Sequence, residues 1–377
     1  MSWISLTEIR ALDGTRVEQT RLRTNDQGIA NSAARILPRD TVCFSRTASV
    51  GFVTIMAAPM ATSQDFANWV CSDELDPEYL MYALICSRRE LRELATGATH
   101  KTIYMPTLES FHLCMPDSTE APSIEKQRQI AARLKAQLAE VETARQAAQT
   151  QIQDTDLLRS RLLQAAFDQL TCEPTMLGQV LNGFQTGKSF QTAEVLARPD
   201  ELGVLKVSAV SWTQFQADQA KALKGEYTPA ESHRIKQGDL LISRANTREL
   251  VGAVVLVERD HPMRLLSDKT LRLMVNENSA DKDYLLFALR TELAREHIEL
   301  YATGSSDSMR NISQDVIAST PILLPSLDEQ RRIAAHLKAQ LAEADVIAQA
   351  ASAQLVEIER LPQKLLAQAF HAQGEVP

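Results

Sequence analysis

The stretch Ile130-Ala-Ala-Arg-Leu-Lys-Ala-Gln-Leu-Ala-Glu140 occurs twice in this chain. Its copy, Ile333-Ala-Ala-His-Leu-Lys-Ala-Gln-Leu-Ala-Glu343, lies 203 residues later and differs only where Arg133 becomes His336. The offset continues without a gap to Ala166-Phe167, which match Ala369-Phe370. A repeat of this kind decides an architecture. The chain is therefore expected to be one structural unit used twice.

The repeated stretch predicts a long helix. No Gly or Pro occurs between Glu125 and Phe167, and apolar or small residues recur every seven positions. The first copy has Leu134, Val141, Ala148, Thr155 and Leu162, and the second has Leu337, Ala344, Ala351, Ile358 and Leu365. Such a narrow stripe needs a partner helix, and we expect the two helices, each about 65 Å long, to pair as an antiparallel coiled coil. Pro362 predicts a kink or a restart near the end of the second helix.

The segments outside the helices diverge but still correspond. Ser45-Arg46 matches Ser243-Arg244, and Ala95-Thr96-Gly97 matches Ala302-Thr303-Gly304. Both segments predict mixed strands and helices. The fold class is therefore mixed α/β: two domains of similar α+β fold, separated by two long helices, with a pseudo-two-fold internal repeat. The predicted divisions are a first module (1–117), a first helix (118–173), a second module (174–325) and a second helix (326–377).

Composition and charge narrow the class of protein. With 377 residues, 44% of them hydrophobic and 23% charged, the chain is expected to be globular. It has no apolar run of about 18 residues and no secretory signal at its start, so a cytoplasmic protein is expected. The five cysteines form no C-x-x-C pair, which favours reduced thiols.

The net charge of −8 is unusual for a DNA-binding protein, which normally shows a basic footprint. The charge is −4 over 1–120, zero over 121–173, −2 over 174–325 and −2 over 326–377, so no segment is basic overall. Any affinity for DNA must therefore come from a few positively charged side chains on loops and from partner subunits.

Both helix starts resemble those of a known family. Pro122-Ser-Ile-Glu-Lys-Gln-Arg-Gln-Ile130 and Pro325-Ser-Leu-Asp-Glu-Gln-Arg-Arg-Ile333 each open a long Ala/Leu helix, as in the specificity (S) subunit of type I restriction-modification systems. The likeness extends to Gly97-Ala-Thr-His-Lys-Thr-Ile103, to Gly238-Asp-Leu-Leu-Ile-Ser-Arg244 and to Gly183-Phe-Gln-Thr-Gly-Lys188. It covers essentially the whole chain.

The resemblance implies a division of labour. Each module would be a target recognition domain that reads one half of a bipartite sequence in double-stranded DNA. The helices would set the gap and bind two methyltransferase subunits and ATP-dependent restriction subunits. The chain itself would be non-catalytic and carry no cofactor, with S-adenosylmethionine, ATP and Mg²⁺ held by the partner subunits.

Candidate DNA-binding residues lie on loops, because base edges are read by Arg, Lys, Asn, Gln and His. They occupy corresponding places in the two copies. They are Ser45, Arg46, His100, Lys101 and Thr102 in the first module, and Lys188, Ser243, Arg244, Asn246, Arg248, Arg310 and Asn311 in the second. The alternative for each residue is an ordinary solvated loop position. Candidate partner-binding residues at the helix starts are Gln127, Arg128, Gln330 and Arg331, and their alternative is a solvated helix start.

Other functions find less support. Gly187-Lys188-Ser189 suggests a phosphate-binding loop, but Asn182 stands where the first glycine is required. The sequence lacks adjacent prolines, Glu-x-Lys or Asp-x-Lys, G-x-G-x-x-G and H-E-x-x-H, so methyltransferase, nuclease, dinucleotide and zinc-protease sites are not predicted, nor is any metal site. The alternatives are a coiled-coil protein-interaction scaffold without DNA specificity, a silent or truncated specificity cassette, and, third, an enzyme with an unrecognised site.

The first module departs from the second at its beginning. The second module has about thirty residues, Thr175 to Gly203, before Leu205-Lys-Val-Ser-Ala-Val210, which aligns with Ile4-Ser-Leu-Thr-Glu-Ile9. No counterpart of Gly187-Lys188 precedes Ile4 in this sequence. The alternatives are a truncated start, a rearranged or silent copy, and a strand supplied by another chain.

Overall fold

The structure is a computed structural model, and it describes residues 1–97, 100–117, 119, 123–211, 214–225, 227–306 and 309–371. The chain forms two compact units. Unit 1 is Met1–Gln151 with Ala350–Pro377, and unit 2 is Ile152–Gln349. Among the described helices, none is long and apolar enough to cross a membrane.

The first module is built from short strands and helices in two sheets. In chain order the elements are β1 (Trp3–Ile4), β2 (Arg16–Val17), α1 (Asp26–Ala30), β3 (Ile36–Leu37), β4 (Val42–Ser45), β5 (Val53–Met56), β6 (Met60–Thr62), β7 (Phe66–Trp69), α2 (Pro77–Cys86), α3 (Arg88–Glu93) and α4 (Met105–Glu109). One sheet has the order β1-β6-β3 and the other the order β2-β5-β4-β7. Helix α5 (Ser123–Asp168) follows.

The second module repeats this arrangement with additional strands. Its elements are β8 (Pro174–Met176), β9 (Leu181–Thr186), β10 (Thr192–Leu196), β11 (Gly203–Leu205), β12 (Ala220–Leu223), β13 (Arg234–Ile235), β14 (Leu240–Ser243), β15 (Ala245–Asn246), β16 (Val254–Leu256), β17 (His261–Leu265), β18 (Thr270–Val275), α6 (Lys282–Ala288), α7 (Glu292–Tyr301), β19 (Thr303–Ser306), β20 (Met309–Asn311), α8 (Gln314–Ala318) and β21 (Pro321–Leu323), with 3-10 turns at Leu177–Val180, Val207–Ala209 and Glu231–His233. The sheet orders are β10-β12-β11-β17-β13, β16-β14-β18-β9, β15-β20-β19 and β21-β8.

Pairing in the two modules supports the alignment of Ile4 with Leu205. β1 pairs in parallel with β6, and β11 pairs in parallel with β17. β4 and β14 then occupy equivalent positions, each between two antiparallel neighbours. Equivalent residues in the two modules can therefore be compared one by one.

Both predicted long helices are present. α5 covers the predicted span, and α9 (Leu327–His371) covers the second copy. Of the two outcomes predicted at Pro362, a restart of the helix was wrong, because α9 continues through this residue. A proline removes one main-chain hydrogen bond, and the buried residues Leu366, Ala369 and Phe370 hold the last turns in place. Several heptad positions are buried as expected: Leu134, Ala148, Thr155, Leu337, Ala344, Ala351 and Ile358.

Each unit packs one module against the start of one long helix and the end of the other. In unit 1, Leu134 of α5 and Phe370 of α9 share a core with Tyr79, whose ring centroid lies 5.1 Å from that of Phe370. In unit 2, Leu337 of α9 and Phe167 of α5 share a core with Tyr284. The helices therefore run antiparallel within each unit. Each packed unit combines segments from both copies of the sequence repeat, so its boundaries differ from those of the repeat.

The glutamine of each Gln-Arg-x-Ile motif joins a helix start to its module. Gln127 is fully buried; its Oε1 accepts from the Asp76 N–H at 2.9 Å and its Nε2 donates to the Glu74 carbonyl at 2.9 Å. Gln330 is likewise buried and accepts from the Asp281 N–H at 3.0 Å. Asp76 and Asp281 cap α2 and α6. The side-chain amide of Gln127 thus joins the starts of α5 and α2, and that of Gln330 joins the starts of α9 and α6.

Replacing Gln330 by Ala is expected to lower the free energy of unfolding of unit 2 by about 1–2 kcal/mol, because the Asp281 N–H then loses its acceptor in a buried position. Urea unfolding followed by circular dichroism measures the change. The exposed neighbour Arg331, replaced by Ala, is the control and should change stability by less than about 0.5 kcal/mol. Equal losses in both variants would contradict the assignment.

Candidate DNA interface

The two loop clusters predicted in the second module meet in a small sheet. β15 pairs with β20, which places Ala245 opposite Asn311 and Asn246 opposite Arg310. β20 also pairs with β19, and the Ile312 N–H donates to the Arg244 carbonyl at 2.9 Å. Residues about 65 positions apart in sequence thereby form one surface.

Arg244 differs from the other two arginines of this surface, Arg248 and Arg310, in what its side chain contacts. Its main-chain N–H donates to the Lys269 carbonyl at 3.0 Å, which fixes where the side chain begins. The side chain is half-buried, and within the described part of the chain its guanidinium has no hydrogen bond or ion pair. A guanidinium with unused donors, held at its base, suits bidentate contact with a guanine edge.

The other predicted residues of this cluster have different roles. Ser243 is fully buried, and Asn246 is nearly so, with its Oδ1 accepting from the Thr247 N–H at 2.9 Å. Arg248 is exposed and lies 3.6 Å from Glu299 on α7. Arg310 donates to the Gly304 carbonyl at 3.2 Å, and Asn311 is exposed. Ser243 and Asn246 are therefore buried beneath the surface, Arg310 is partly buried against Gly304, and Arg248 and Asn311 are its exposed residues.

Lys188 lies near a second lysine that sequence reasoning missed. Lys188 forms a β-bridge with Ser267, two residues before Lys269, and its Nζ lies 6.0 Å from the centre of the Tyr227 ring. Lys188 and Lys269 are both exposed. Lys269 sits in the turn between β17 and β18, and this turn is the signal that could have identified it.

The first module has the same framework. The Ile103 N–H donates to the Arg46 carbonyl at 2.9 Å, as Ile312 does to Arg244. Thr102 bridges to Thr47 and Thr96, and His100 and Lys101 are exposed beside them. Gly97 and Gly304 both have positive φ, +120° and +146°, and both hairpins require a residue without Cβ there. Ser45 is buried, and its hydroxyl bonds the carbonyls of Ser49 and Phe52.

The arginines of the two modules differ in what they contact. Arg46 Nε donates to the Gln64 carbonyl at 3.1 Å, and Nη1 donates to the Ile103 carbonyl at 3.3 Å. Its main-chain N–H donates to the carbonyl of Asp65, an acidic residue where the second module has Lys269. The first module therefore uses its arginine within the fold and presents a less cationic surface.

The predicted partner-binding residues separate into two classes. Gln127 and Gln330 are buried in the contacts described above. Arg128 and Arg331 are largely exposed, 3.8 Å from Asp76 and Asp328 respectively. Arg128 and Arg331 are therefore accessible to a partner, whereas Gln127 and Gln330 are not.

Some residues near these clusters are not placed. Thr99, Asp307 and Ser308 lie outside the described residues. Within the described ranges, no group of three or more His, Cys, Asp or Glu side chains could hold a metal ion.

Comparison with known proteins agrees with this architecture. Residues 11–151 match the family described as Type I restriction modification DNA specificity domain. The chain is 27% identical over 158 residues to the Type I restriction enzyme EcoEI specificity subunit of Escherichia coli. That alignment covers 42% of this chain and 27% of the relative, so the chain spans less than a third of the relative's length in it.

Two solved structures share the fold over nearly the whole chain. One comes from work on complex assembly and conformational transition of the type I R-M system. Its TM-score is 0.71 at 20% identity, and the alignment covers 99% of this chain and 91% of the other chain. The HsdS subunit from Thermoanaerobacter tengcongensis has a TM-score of 0.61 at 18% identity and covers 99% and 90%. The predicted fold class and the resemblance to type I specificity subunits are confirmed.

Proposed function

We propose that the chain is the DNA-reading specificity subunit of a type I restriction-modification system, because residues 11–151 match the family described as Type I restriction modification DNA specificity domain. Each module contacts one part of a bipartite target in double-stranded DNA. The observation that carries the proposal is the surface around Arg244, whose guanidinium has no partner among the described residues and whose main chain bonds that of the exposed Lys269. Phosphate contacts by the lysines and a base contact by the arginine are the usual division of labour.

The modules contribute unequally to this function. In the second module, Arg244, Lys188 and Lys269 supply the contacts. In the first module, His100 and Lys101 are the exposed candidates, while the Arg46 guanidinium holds the main chain at Gln64 and at Ile103. Sequence discrimination is therefore expected to be stronger in the half of the target read by the second module.

The chain acts with partner subunits. The long helices bind two methyltransferase subunits and ATP-dependent restriction subunits, with Arg128 and Arg331 among the contacts. The partners hold S-adenosylmethionine, ATP and Mg²⁺, while this chain catalyses no step and works in the cytoplasm. Support comes from the related structure that describes complex assembly of the type I R-M system.

A protein-interaction scaffold is the second candidate function. The buried heptad positions of α5 and α9 and the symmetric glutamine contacts would serve such a scaffold equally well. The two functions differ in whether the complex prefers one DNA sequence.

A salt titration separates them. In complex with its methyltransferase subunits, the chain should lose DNA affinity by at least about tenfold between roughly 50 and 200 mM salt, because phosphate contacts release counterions. Its preference for one split site over scrambled DNA should persist throughout. Fluorescence anisotropy with both DNAs measures this, and equal affinity for both at every salt concentration would favour the scaffold.

A further inference from the structure

Three arginines of the first module surround one aromatic ring. The guanidinium carbons of Arg10, Arg88 and Arg92 lie 5.7, 5.5 and 5.3 Å from the centre of the Phe52 ring. The three positive charges are therefore within about 11 Å of one another, close to the screening length of about 10 Å in 0.1 M salt. We call this group the Arg10 patch, and it lies in the segment 1–120, whose net charge is −4.

One carboxylate pairs with this group. Both oxygens of Asp13 accept from Arg88 Nη2, at 2.8 and 2.7 Å. Arg92 Nε donates to the Val50 carbonyl at 2.9 Å, which fixes the position of its side chain without neutralising its charge. Within the described residues, neither Arg10 nor Arg92 has an ion pair. Two positive charges of the patch are therefore left without a counter-charge.

The charges of the patch repel one another and are open to solvent. Arg10 is exposed, and in the part of the chain that the structure describes its guanidinium makes no hydrogen bond or ion pair. Arg92 is also exposed, and its pKa is lowered, first by partial burial and then by the like charges of Arg88 and Arg10. Holding like charges together costs free energy in the free protein, and a bound anion offsets that cost.

The Arg10 patch adjoins the candidate DNA interface through the hairpin between β4 and β5. The Ser45 N–H donates to the Phe52 carbonyl at 2.9 Å, so Phe52 lies across from the residue that precedes Arg46. In the same hairpin, the Ala48 N–H donates to the Lys101 carbonyl at 2.9 Å. Phe52 follows Ala48 by four residues, which span at most about 14 Å. Duplex DNA carries one phosphate per about 1.7 Å of its axis, so a duplex held at Lys101 has several phosphates within that distance.

The second module lacks this patch. In the alignment of the two modules, Ser211 stands at the position of Arg10. Ala253, which is fully buried, stands at the position of Phe52, because both carbonyls accept a hydrogen bond from the serine that ends β14 or β4. The ring and one of its arginines are therefore features of the first module, and the shared fold does not require them.

The two modules also distribute their remaining charges differently. Arg295, which takes the place of Arg92, has an ion pair with Glu299 at 3.1 Å. Beside β15, the second module has the exposed Lys269 where the first module has Asp65. Each module thus carries its uncompensated positive charge at a different part of its surface.

We infer that the Arg10 patch binds a phosphate group of the DNA backbone beside the half of the target that the first module contacts, an inference that rests on the proposed function. Arg10 and Arg92 donate to the phosphate oxygens. Arg88, held by Asp13, adds positive charge, and the Phe52 ring keeps the three guanidiniums together. Since backbone contacts position a protein and carry no sequence information, the patch anchors the first module on DNA of any sequence.

Two variants that remove the same charge test the patch in the complex with the methyltransferase subunits. Arg10→Gln should weaken binding to split-site and scrambled DNA alike by about threefold to tenfold at roughly 0.1 M salt. It should also lower the slope of log affinity against log salt by about one, because one phosphate contact is lost. Arg89→Gln is the matched control and should change neither quantity, since Arg89 lies on α3 with its side chain 83% exposed and pairs with Glu90. Arg10→Lys, which keeps the charge, should restore most of the affinity. Fluorescence anisotropy with both DNAs measures these changes.

Ethylation interference locates the phosphate. Ethyl groups on phosphates beside the half-site contacted by the first module should weaken binding of the wild-type complex, because an ethylated phosphate has lost its charge. The same ethyl groups should have no effect on the Arg10→Gln complex, while interference at the other half-site should remain. Interference that is the same in both complexes would contradict the inference.

Three further results would overturn it. The first is an unchanged affinity and salt slope for Arg10→Gln in a complex that still prefers its split site. The second is an equal loss in Arg10→Gln and Arg89→Gln, which would show a general effect of net charge. The third is weaker binding of the methyltransferase subunits to Arg10→Gln in sedimentation velocity, with unchanged DNA affinity of the assembled complex, which would assign the patch to an acidic protein surface.

Calorimetry with inorganic phosphate on the DNA-free complex separates the backbone from a free anion. A Kd below about 1 mM that is lost in Arg10→Gln, together with unchanged DNA affinity of this variant, would assign the patch to a free phosphate and overturn the inference. The proposed function fails separately, if the wild-type complex prefers no split site, whatever the effect of Arg10→Gln.

Discussion

Replacing Arg272 by Met is expected to lower the free energy of unfolding of unit 2 by about 3–5 kcal/mol. The Arg272 guanidinium lies 2.6 Å from Asp239 Oδ2 and donates to the carbonyls of Ser232 at 2.8 Å and Arg234 at 2.6 Å. Both charged side chains are almost fully buried, at 9% and 12% exposure. Methionine keeps the apolar stem but leaves Asp239 as a buried charge without its cation. Urea unfolding followed by circular dichroism measures the loss.

Two further variants isolate the cause of that loss. Lys221→Met removes an exposed ion pair with Glu194 and should cost less than about 1 kcal/mol. Adding Asp239→Asn to Arg272→Met should recover part of the stability, because the uncompensated charge is then gone. A loss below about 1 kcal/mol for Arg272→Met alone would show that the pair is not important for the fold.

The long helices could be predicted from sequence because their signal is local. Leu134, Ala148 and Thr155 are buried at the seven-residue spacing that the sequence shows, and so are Leu337 and Ala344 in the second copy. The internal repeat also identified the equivalence of the two modules that strand pairing supports. At Pro362 the local pattern predicts a kink or a restart, and the restart does not occur because packing of the last turns outweighs the local preference of proline.

The roles of single site residues could not be predicted, because they depend on partners far away in sequence. Gln127 looks like an exposed helix-start residue until α2 brings the Asp76 N–H to it, 51 residues away. Arg46 and Arg244 stand in matching motifs, and only the fold shows that Arg46 binds the Ile103 carbonyl. Lys269 carries no motif, and β-pairing alone places it beside Arg244. Local sequence thus identifies the loops, while long-range contacts decide which side chains stay available.

Replacing Arg244 by Ala is expected to remove discrimination at one base pair in the half-site read by the second module. A bidentate arginine contact with guanine contributes about 1–3 kcal/mol of discrimination, or roughly tenfold to a hundredfold in affinity. The fold should be unaffected, since only the main chain of Arg244 makes hydrogen bonds within the described residues. Methylation of a library of split sites by the complex with its methyltransferase subunits measures the change base by base.

The controls follow from the contrast between the two modules. Arg259→Ala removes an exposed arginine of the same module, in the turn between β16 and β17, and should leave the methylated sequence unchanged. Arg46→Ala should instead lower the stability of unit 1, since it deletes hydrogen bonds to Gln64 and Ile103. If Arg244→Ala weakened all DNA sequences equally, Arg244 would be a phosphate contact, because backbone contacts carry no sequence information. An unchanged affinity and sequence preference would remove it from the interface.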